Sequence, residues 1–314
     1  MGFFGKTRKL SGLLAFGFTP EGLCAARVSR VPNAKPQVDT AQFFPSKEPL
    51  SADTLEKAAR ELQAAHYQCA NLLGGREYQM LAVESPNVQS DELKAAVRWR
   101  LKDMLDFHVD DATIDVMDIP ADKNAAVRAQ TMFAVAARNS VIQARQELFS
   151  GAKVELSVID IPEAAQRNIS TLLEPEGRGL AMLSFDADGG LLTVTSNGEL
   201  YLSRRIDVSL EQLLEDNADR RNQTFDKVTL ELQRSLDHFD RQFHYVNVSK
   251  LLLAPLPSGA LHTYLSSNLY MPVDALDLAS VFDLSKVPEL QSAQVQQRHF
   301  LALGAALRVE EVVL

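Results

Sequence analysis

The chain has 314 residues, of which 46% are hydrophobic and 23% are charged. This composition supplies enough apolar material for a core, which excludes a wholly disordered chain, and the length predicts about two domains. The formal net charge of −9 argues against a nucleic-acid partner, because clustered positive charge binds a phosphate backbone. Two cysteines without a CxxC spacing exclude a zinc knuckle and predict a reducing compartment.

The first part of the chain is predicted to begin with an antiparallel meander of three strands at 10–18, 22–31 and 37–44. Ser51 is a good helix cap, and the apolar spacing after it predicts a helix that runs to about Tyr67. The elements predicted next are, in chain order, a strand at 78–83, a helix at 91–105, strands at 111–119 and 131–137, a helix at 140–149, a strand at 153–160 and a helix at 161–173.

The same pattern starts again after a turn-rich linker at 174–179. Three strands are predicted at 180–186, 191–195 and 200–208, and tight turns separate them. The remaining predicted elements are helices at 210–217 and 226–243, a strand at 250–253, a helix at 258–268, an edge strand at 271–274 and a closing helix at 294–307.

A three-stranded meander followed by a helix therefore occurs twice along the chain. This order is the plan of the actin-like ATPase fold, a duplicated ribonuclease H-like α/β fold, here with an inserted α/β subdomain. The predicted divisions are a basic and aromatic tail at 1–9, a first actin-like subdomain at 10–84, the inserted subdomain at 85–150, a crossing strand and helix at 151–178, and a second actin-like half at 179–314.

The sequence predicts no catalytic residue and no metal site. The six histidines form no HExxH or HxxxH pair, and no GxSxG pattern marks a nucleophile. The aspartates between 103 and 118 partly alternate with apolar residues, which is typical of a half-exposed strand.

Two strand–turn–strand hairpins hold the phosphates in an actin-like ATPase, and this chain has a candidate for each, at 13–22 and at 183–190. The second hairpin contains acids and glycines, which are equally typical of a tight turn closed by Asx hydrogen bonds. The residues assigned to this vestigial nucleotide cleft are Gly17, Thr19, Asp186, Asp188, Gly189, Gly190, Glu231, Ser258 and Gly259.

Three phrases resemble the PilM family of type IV pilus assembly proteins, and within it the MshI branch of mannose-sensitive haemagglutinin (MSHA) pilus systems. The stretch VIDIPEAAQR at 158–167 is similar to the strand-to-helix crossing of the family. The stretch LELQRSLDHF at 230–239 is similar to its most recognisable helix, and LGAALR at 303–308 to its C-terminal helix. The resemblance covers nearly the whole chain.

The sequence departs from the ATP-binding members of that family where the chemistry would be. Ala15 stands in place of the aspartate of their first hairpin, and Ser184 stands at the acid position of their second. The strand at 251–253 leads into Ala254 and Pro255 in place of their Gly-Gly run, and only glycine lets the backbone approach a ligand this closely. We therefore expect no cofactor and no hydrolysis, with binding of ATP and magnesium as the alternative.

The resemblance implies a cytoplasmic protein at the inner face of the inner membrane, which binds the N-terminal tail of a PilN-like membrane protein together with other pilus assembly components. Arg98, Trp99 and Arg100 are the candidate contacts, since an aromatic residue flanked by arginines is the composition of a binding hot spot. Two alternatives stay open. In the first, Trp99 is a core residue that anchors the insertion. In the second, an extended tail adds to an exposed sheet edge of the insertion.

The first nine residues allow two interpretations. Aromatic and basic side chains there are able to touch an anionic membrane weakly, whereas a frayed polar terminus explains the same composition. The residues concerned are Phe3, Phe4, Lys6, Arg8 and Lys9. A GspL-like cytoplasmic domain of a type II secretion system is a further alternative. Such proteins continue into a transmembrane helix, whereas these 314 residues contain no apolar run of that length.

Overall fold

The computed structural model describes residues 12–48, 50–89, 92–121 and 130–309. The elements of its first part are, in chain order, β1 (Leu13–Thr19), β2 (Gly22–Ser29), β3 (Gln37–Pro45), α1 (Ala52–Glu61), β4 (Gln68–Leu72), β5 (Tyr78–Glu84), α2 (Leu93–Leu101), β6 (Ala112–Asp118), β7 (Thr131–Arg138), α3 (Asn139–Gly151), β8 (Leu156–Asp160) and α4 (Pro162–Ser170). Those of its second part are β9 (Gly179–Phe185), β10 (Gly190–Ser196), β11 (Glu199–Ile206), α5 (Leu210–Leu213), α6 (Ala218–Gln242), β12 (Val248–Leu253), α7 (Ala260–Asn268), β13 (Val273–Ala275) and α8 (Ala293–Ala306).

Two five-stranded sheets repeat one topology. The first has the strand order β3-β2-β1-β4-β8, and the second has the order β11-β10-β9-β12-β13. In each sheet three strands form an antiparallel meander, and two further strands add in parallel beside the first strand of that meander. The duplication that the order of elements predicts is therefore present in the structure.

The two sheets share a core that α4 and α8 complete. One apolar cluster contains residues of both sheets, such as Leu13 and Met182, together with Ile169 of α4 and Leu303 of α8. The two helices approach so closely that a Cβ at Gly304 would collide with the carbonyl oxygen of Ala165. The opposite face of the first sheet packs on α1 and α3, and that of the second sheet packs on α6 and α7.

A third, three-stranded sheet with the order β5-β7-β6 forms the inserted unit, and α2 packs on one of its faces. The sequence places 78–83 in the first subdomain at 10–84, whereas in the structure β5 pairs with β7 of the inserted sheet along its whole length. At the other boundary, α3 buries Phe149 against Phe16 of the first sheet, with ring centroids 5.9 Å apart. The inserted sheet therefore includes β5. Helix α3, which the sequence places in the insertion, packs on the core of the first sheet.

The main local difference from the sequence prediction concerns the helix expected to run to Tyr67. This helix ends at Glu61, and the missed strand β4 follows at Gln68–Leu72. Four of the five β4 residues are buried, because the strand lies between β1 and β8 in a parallel arrangement. Such a strand lacks the alternation of polar and apolar residues by which a half-exposed strand is detected.

Other elements differ from prediction mainly at their ends. The helix predicted at 226–243 begins earlier, at Ala218, where the Asn217 side chain accepts a hydrogen bond from the Arg220 N–H. The helix predicted at 91–105 is described over Leu93–Leu101, and residue 91 lies outside the described residues. No helix in the described part of the chain is both long and apolar enough to cross a membrane.

Candidate functional site

A cleft of about 630 Å³ lies between the two halves of the fold. The turn between β1 and β2 contributes Gly17 and Thr19, and the turn between β9 and β10 contributes Asp186 and Asp188. The structure therefore brings together residues of the two hairpins that the sequence singles out, although they are far apart in the chain. Helix α8 supplies a further part of the wall, including Arg298.

The β9–β10 turn is closed by its own carboxylate. Asp186 Oδ1 accepts hydrogen bonds from the N–H groups of Asp188 at 2.8 Å and Gly189 at 3.1 Å. Burial, followed by the negative charge of Asp188, raises the pKa of the Asp186 carboxyl above its usual value. This geometry is the Asx turn that the sequence leaves open as an alternative.

The two glycines of this turn have structural reasons to be glycine. Gly189 has φ +138°, and a Cβ there would lie 2.8 Å from the carbonyl oxygen of Ile206. A Cβ at Gly190 would lie 2.6 Å from the Phe185 ring. Neither position needs a bound phosphate to explain its residue type, because side chains are excluded by the protein itself.

Asp188 reaches across the cleft to a loop that the sequence does not predict as part of the site. Its Oδ2 accepts a hydrogen bond from the Gly75 N–H at 2.9 Å, and its Oδ1 lies 3.6 Å from Arg76 Nε. The neighbouring Gly74 N–H donates to Glu77 Oε2 at 2.7 Å. The adjacent pair Gly74-Gly75 is visible in the sequence, but its position at the cleft follows only from the missed strand β4.

Five of the nine residues assigned to the nucleotide cleft do not line it: Gly189 and Gly190, which follow Asp188 in the β9–β10 turn, and Glu231, Ser258 and Gly259. Glu231 is on α6, where it pairs with Arg234 at 3.3 Å. Ser258 and Gly259 line a separate cavity of about 300 Å³. There the Ser258 hydroxyl accepts a hydrogen bond from the Ala260 N–H at the start of α7.

The residues at the cleft do not fit the phosphates of a nucleotide well. The amides of Gly74 and Gly75 already donate to carboxylates of this chain. Of the charged side chains that line the cleft, Glu21, Asp186, Asp188 and Glu211 are acidic, and only Arg298 is basic. Carboxylates repel phosphate unless a cation lies between them. Within the described residues, no group of three or more potential metal ligands forms a cation site.

A buried polar cluster joins the insertion to the second half beside the cleft. The Tyr78 hydroxyl of β5 donates to Glu163 of α4, and Arg205 of β11 donates to the other oxygen of Glu163 at 2.9 Å. Burial, followed by the negative charge of Glu163, raises the pKa of Tyr78. The phenol therefore stays protonated and remains a hydrogen-bond donor.

Trp99 on α2 is 77% exposed, so the interpretation of Trp99 as a core anchor is wrong. The helix packs on its sheet through Val97 and Leu101 instead, which are fully buried. Arg98 donates to the carbonyl oxygens of Val109 and Ala112 and so holds the following loop, whereas Arg100 pairs with Glu84 of β5 at 3.1 Å.

The proposed membrane contacts Phe3, Phe4, Lys6, Arg8 and Lys9 lie outside the described residues.

Comparison with solved structures shows which fold this is. A chain of a structure described as a PilM–PilN type IV pilus biogenesis complex matches with a TM-score of 0.75 and 18% sequence identity, and the match covers 95% of this chain and 98% of that one. A protein of Bacteroides thetaiotaomicron, described as having an actin-like ATPase fold and unknown function, matches with a TM-score of 0.50 and 12% identity over 93% and 99% of the two chains.

The protein has the actin-like ATPase fold. This confirms the fold class predicted from the order of elements. No protein-family model and no curated protein sequence matches the chain. At these identities the comparisons show the fold, and function has to be argued from the site.

Proposed function

We propose that this protein is a non-catalytic scaffold of a type IV pilus inner-membrane assembly complex, of the MSHA type, and that it binds the N-terminal tail of a PilN-like membrane protein. In this proposal the protein is cytoplasmic and lies at the inner face of the inner membrane, where it is held only through its partner. It needs no cofactor.

The observation that supports this proposal is the match to a chain of the PilM–PilN complex along nearly the full length of both chains. The inserted sheet and α2 are part of this chain's fold, and they add to the duplicated sheets a surface that is separate from the cleft. A scaffold needs such a partner surface, whereas it does not need a working phosphate site.

Trp99 is the contact that we assign to the partner tail. Its ring is exposed, yet its helix is fixed by the buried Val97 and Leu101 and by the Arg98 hydrogen bonds. An aromatic side chain has only two rotatable bonds and so loses little conformational entropy on binding, which favours a role as an anchor. The outer side of β5, an edge strand of the inserted sheet, is the alternative place for an extended tail.

The test uses the synthetic N-terminal peptide of the PilN-like protein from the same organism. Trp99 is the single tryptophan of the chain, so its fluorescence reports directly on its own surroundings, and calorimetry gives the affinity. We expect saturable binding and a fluorescence change in the unmodified protein. We expect at least a tenfold loss of affinity in Trp99→Ala, since truncating a hot-spot aromatic costs about 2 kcal/mol or more.

Tyr270→Ala is the matched control, because Tyr270 is a fully exposed aromatic residue on the second half of the fold. It should bind the peptide as the unmodified protein does. Equal affinity of Trp99→Ala and the unmodified protein would remove Trp99 from the site, and absence of peptide binding altogether would contradict the proposed function.

An ATP-binding switch is the second candidate function. The observation that favours it is the cleft volume of about 630 Å³, which is within the usual range for small-molecule sites. In that case Asp186 and Asp188 would hold the magnesium that accompanies ATP, and nucleotide binding would alter the affinity for the partner. Such coupling would have to act in both directions.

A further inference from the structure

The Gly74-Gly75 loop presents two consecutive backbone N–H groups at the cleft, and each one donates to a carboxylate oxygen. Gly74 donates to Glu77 within the same loop, and Gly75 donates to Asp188 of the opposite half. Successive backbone N–H groups in a turn are a common binding site for an oxyanion. Here two side chains of the chain itself occupy that site.

The carboxylate of Glu77 is fixed in this position from behind. Its second oxygen accepts a hydrogen bond from Arg145 of α3, whose side chain is only 4% exposed. Gly75 is confined as well, because a Cβ at this position would lie 2.5 Å from an Arg205 guanidinium nitrogen. The loop is therefore held by charged groups of the first half and of the second half together.

Asp188 differs from Glu77 because it belongs to the other half of the fold. Its hydrogen bond to Gly75 joins residues 113 positions apart and closes the cleft at one end. A hydrogen bond from N–H to a carboxylate is stronger than one between neutral groups. The added ion pair with Arg76 is largely exposed and contributes little.

We infer that Asp188 acts as an internal substitute for the oxyanion of a ligand. Its carboxylate accepts the hydrogen bond of the Gly75 amide and holds the two halves together without a nucleotide. This device is independent of the proposed pilus partner. It predicts that the two halves stay linked at this end of the cleft when no ligand is bound. A ligand phosphate would have to displace this carboxylate before it could reach the loop.

The test measures the width of the cleft directly. Spin labels attached through Glu21→Cys and Glu211→Cys would sit on exposed positions of opposing walls, whereas the native Cys24 and Cys69 are buried. We expect one narrow distance distribution in this labelled protein, unchanged by millimolar magnesium-ATP or inorganic phosphate. In Asp188→Ala the distribution should broaden towards longer distances, and exchange of the Gly75 amide hydrogen should become about tenfold faster.

Two further arms make the test specific. Asp207→Ala removes an exposed carboxylate that pairs with Lys227 at 3.4 Å and takes no part in the hydrogen bonds of the Gly74-Gly75 loop, so it should leave the distances unchanged. Added acetate should slow the exchange of the Gly75 amide hydrogen again in Asp188→Ala, because a free carboxylate fits the vacated amide, but it should leave the distances long because it is not attached to the second half.

An unchanged distribution and unchanged exchange in Asp188→Ala would overturn the inference that Asp188 holds the cleft closed. Failure of acetate to slow the exchange of the Gly75 amide hydrogen in Asp188→Ala would overturn the assignment of that amide as an oxyanion site. A shift of the distances by ATP in the protein with Asp188 intact would contradict closure without nucleotide. Asp188→Asn keeps an acceptor oxygen, and it should open the cleft less than Asp188→Ala does.

Discussion

The protein buries one imidazole, that of His299, from which we predict a loss of stability in mild acid. His299 lies on α8 with 2% of its surface exposed. Its Nδ1 has no hydrogen-bond partner in the described part of the chain. Burial, together with the positive charge of Arg298, lowers the pKa of His299 from 6.5 to about 4.

This lowered pKa predicts a loss of stability on acidification. The unfolded chain binds the proton at a higher pH than the folded one, so the contribution is complete above pH 6.5 and is lost as the pH falls towards 4. By pH 5 the loss should reach about 2 kcal/mol. Urea unfolding of the unmodified protein and of His299→Leu, each at pH 7 and pH 5, measures it.

The difference in stability loss between the unmodified protein and His299→Leu gives the contribution of the imidazole. The raised pKa values of the Asp160 and Asp186 carboxyls increase the stability of the fold as the pH falls. This opposite effect is present in both proteins, so it cancels in the comparison. If His299→Leu lost as much stability between pH 7 and pH 5 as the unmodified protein, the buried imidazole would not be the cause.

At the scale of single residues, the sequence predicts which residue types take part better than it predicts the surroundings of their side chains. The neighbourhood of Trp99 suggests a contact residue, but whether the ring faces solvent depends on which side of α2 packs on the inserted sheet. The acids of the second hairpin are visible as well. The partner of Asp188, however, is a backbone N–H 113 positions away, and no local pattern reveals it.

The crossing of α4 and α8 is the element contact on which the union of the two halves most depends. A Cβ at Gly304 would collide with the Ala165 carbonyl oxygen, and the Asn168 side chain donates to the Gly304 carbonyl oxygen at 2.9 Å. The helices are able to pack this closely because position 304 has no side chain.

Gly304→Ala should therefore destabilise the fold by about 1–3 kcal/mol, the usual cost of overpacking a core contact, although alanine is the better helix former. The measurement is the midpoint of urea unfolding. Gly151→Ala is the control, since a Cβ at that end of α3 would meet no atom within 4 Å. Equal stability of the two variants would show that the helices can separate without cost.

Elements with a clear period are predicted well, and elements without one are not. The two meanders follow from alternation and turn residues, and α6 follows from its apolar stripe. Strand β4 is missed because it is buried on both faces, and β5 is assigned to the wrong sheet because local sequence does not specify the pairing partner of a strand.

At the scale of the whole molecule, the order of elements predicts the duplicated fold, since a meander followed by a helix occurs twice. The cleft between the halves follows from that duplication. Its chemistry does not, because the decisive contact joins the β9–β10 turn to the Gly74-Gly75 loop behind the missed strand. In our two proposals the cleft is a structural joint between the halves, and the inserted unit is the partner surface.

Calorimetric titration of the purified protein with ATP and magnesium tests this central claim most directly. We predict no binding heat and no thermal stabilisation at millimolar ATP, because carboxylates of the chain occupy the loop amides and dominate the charge of the cleft. Saturable binding, with a melting temperature that rises with the logarithm of ATP concentration over Kd, would contradict this claim and favour the nucleotide switch.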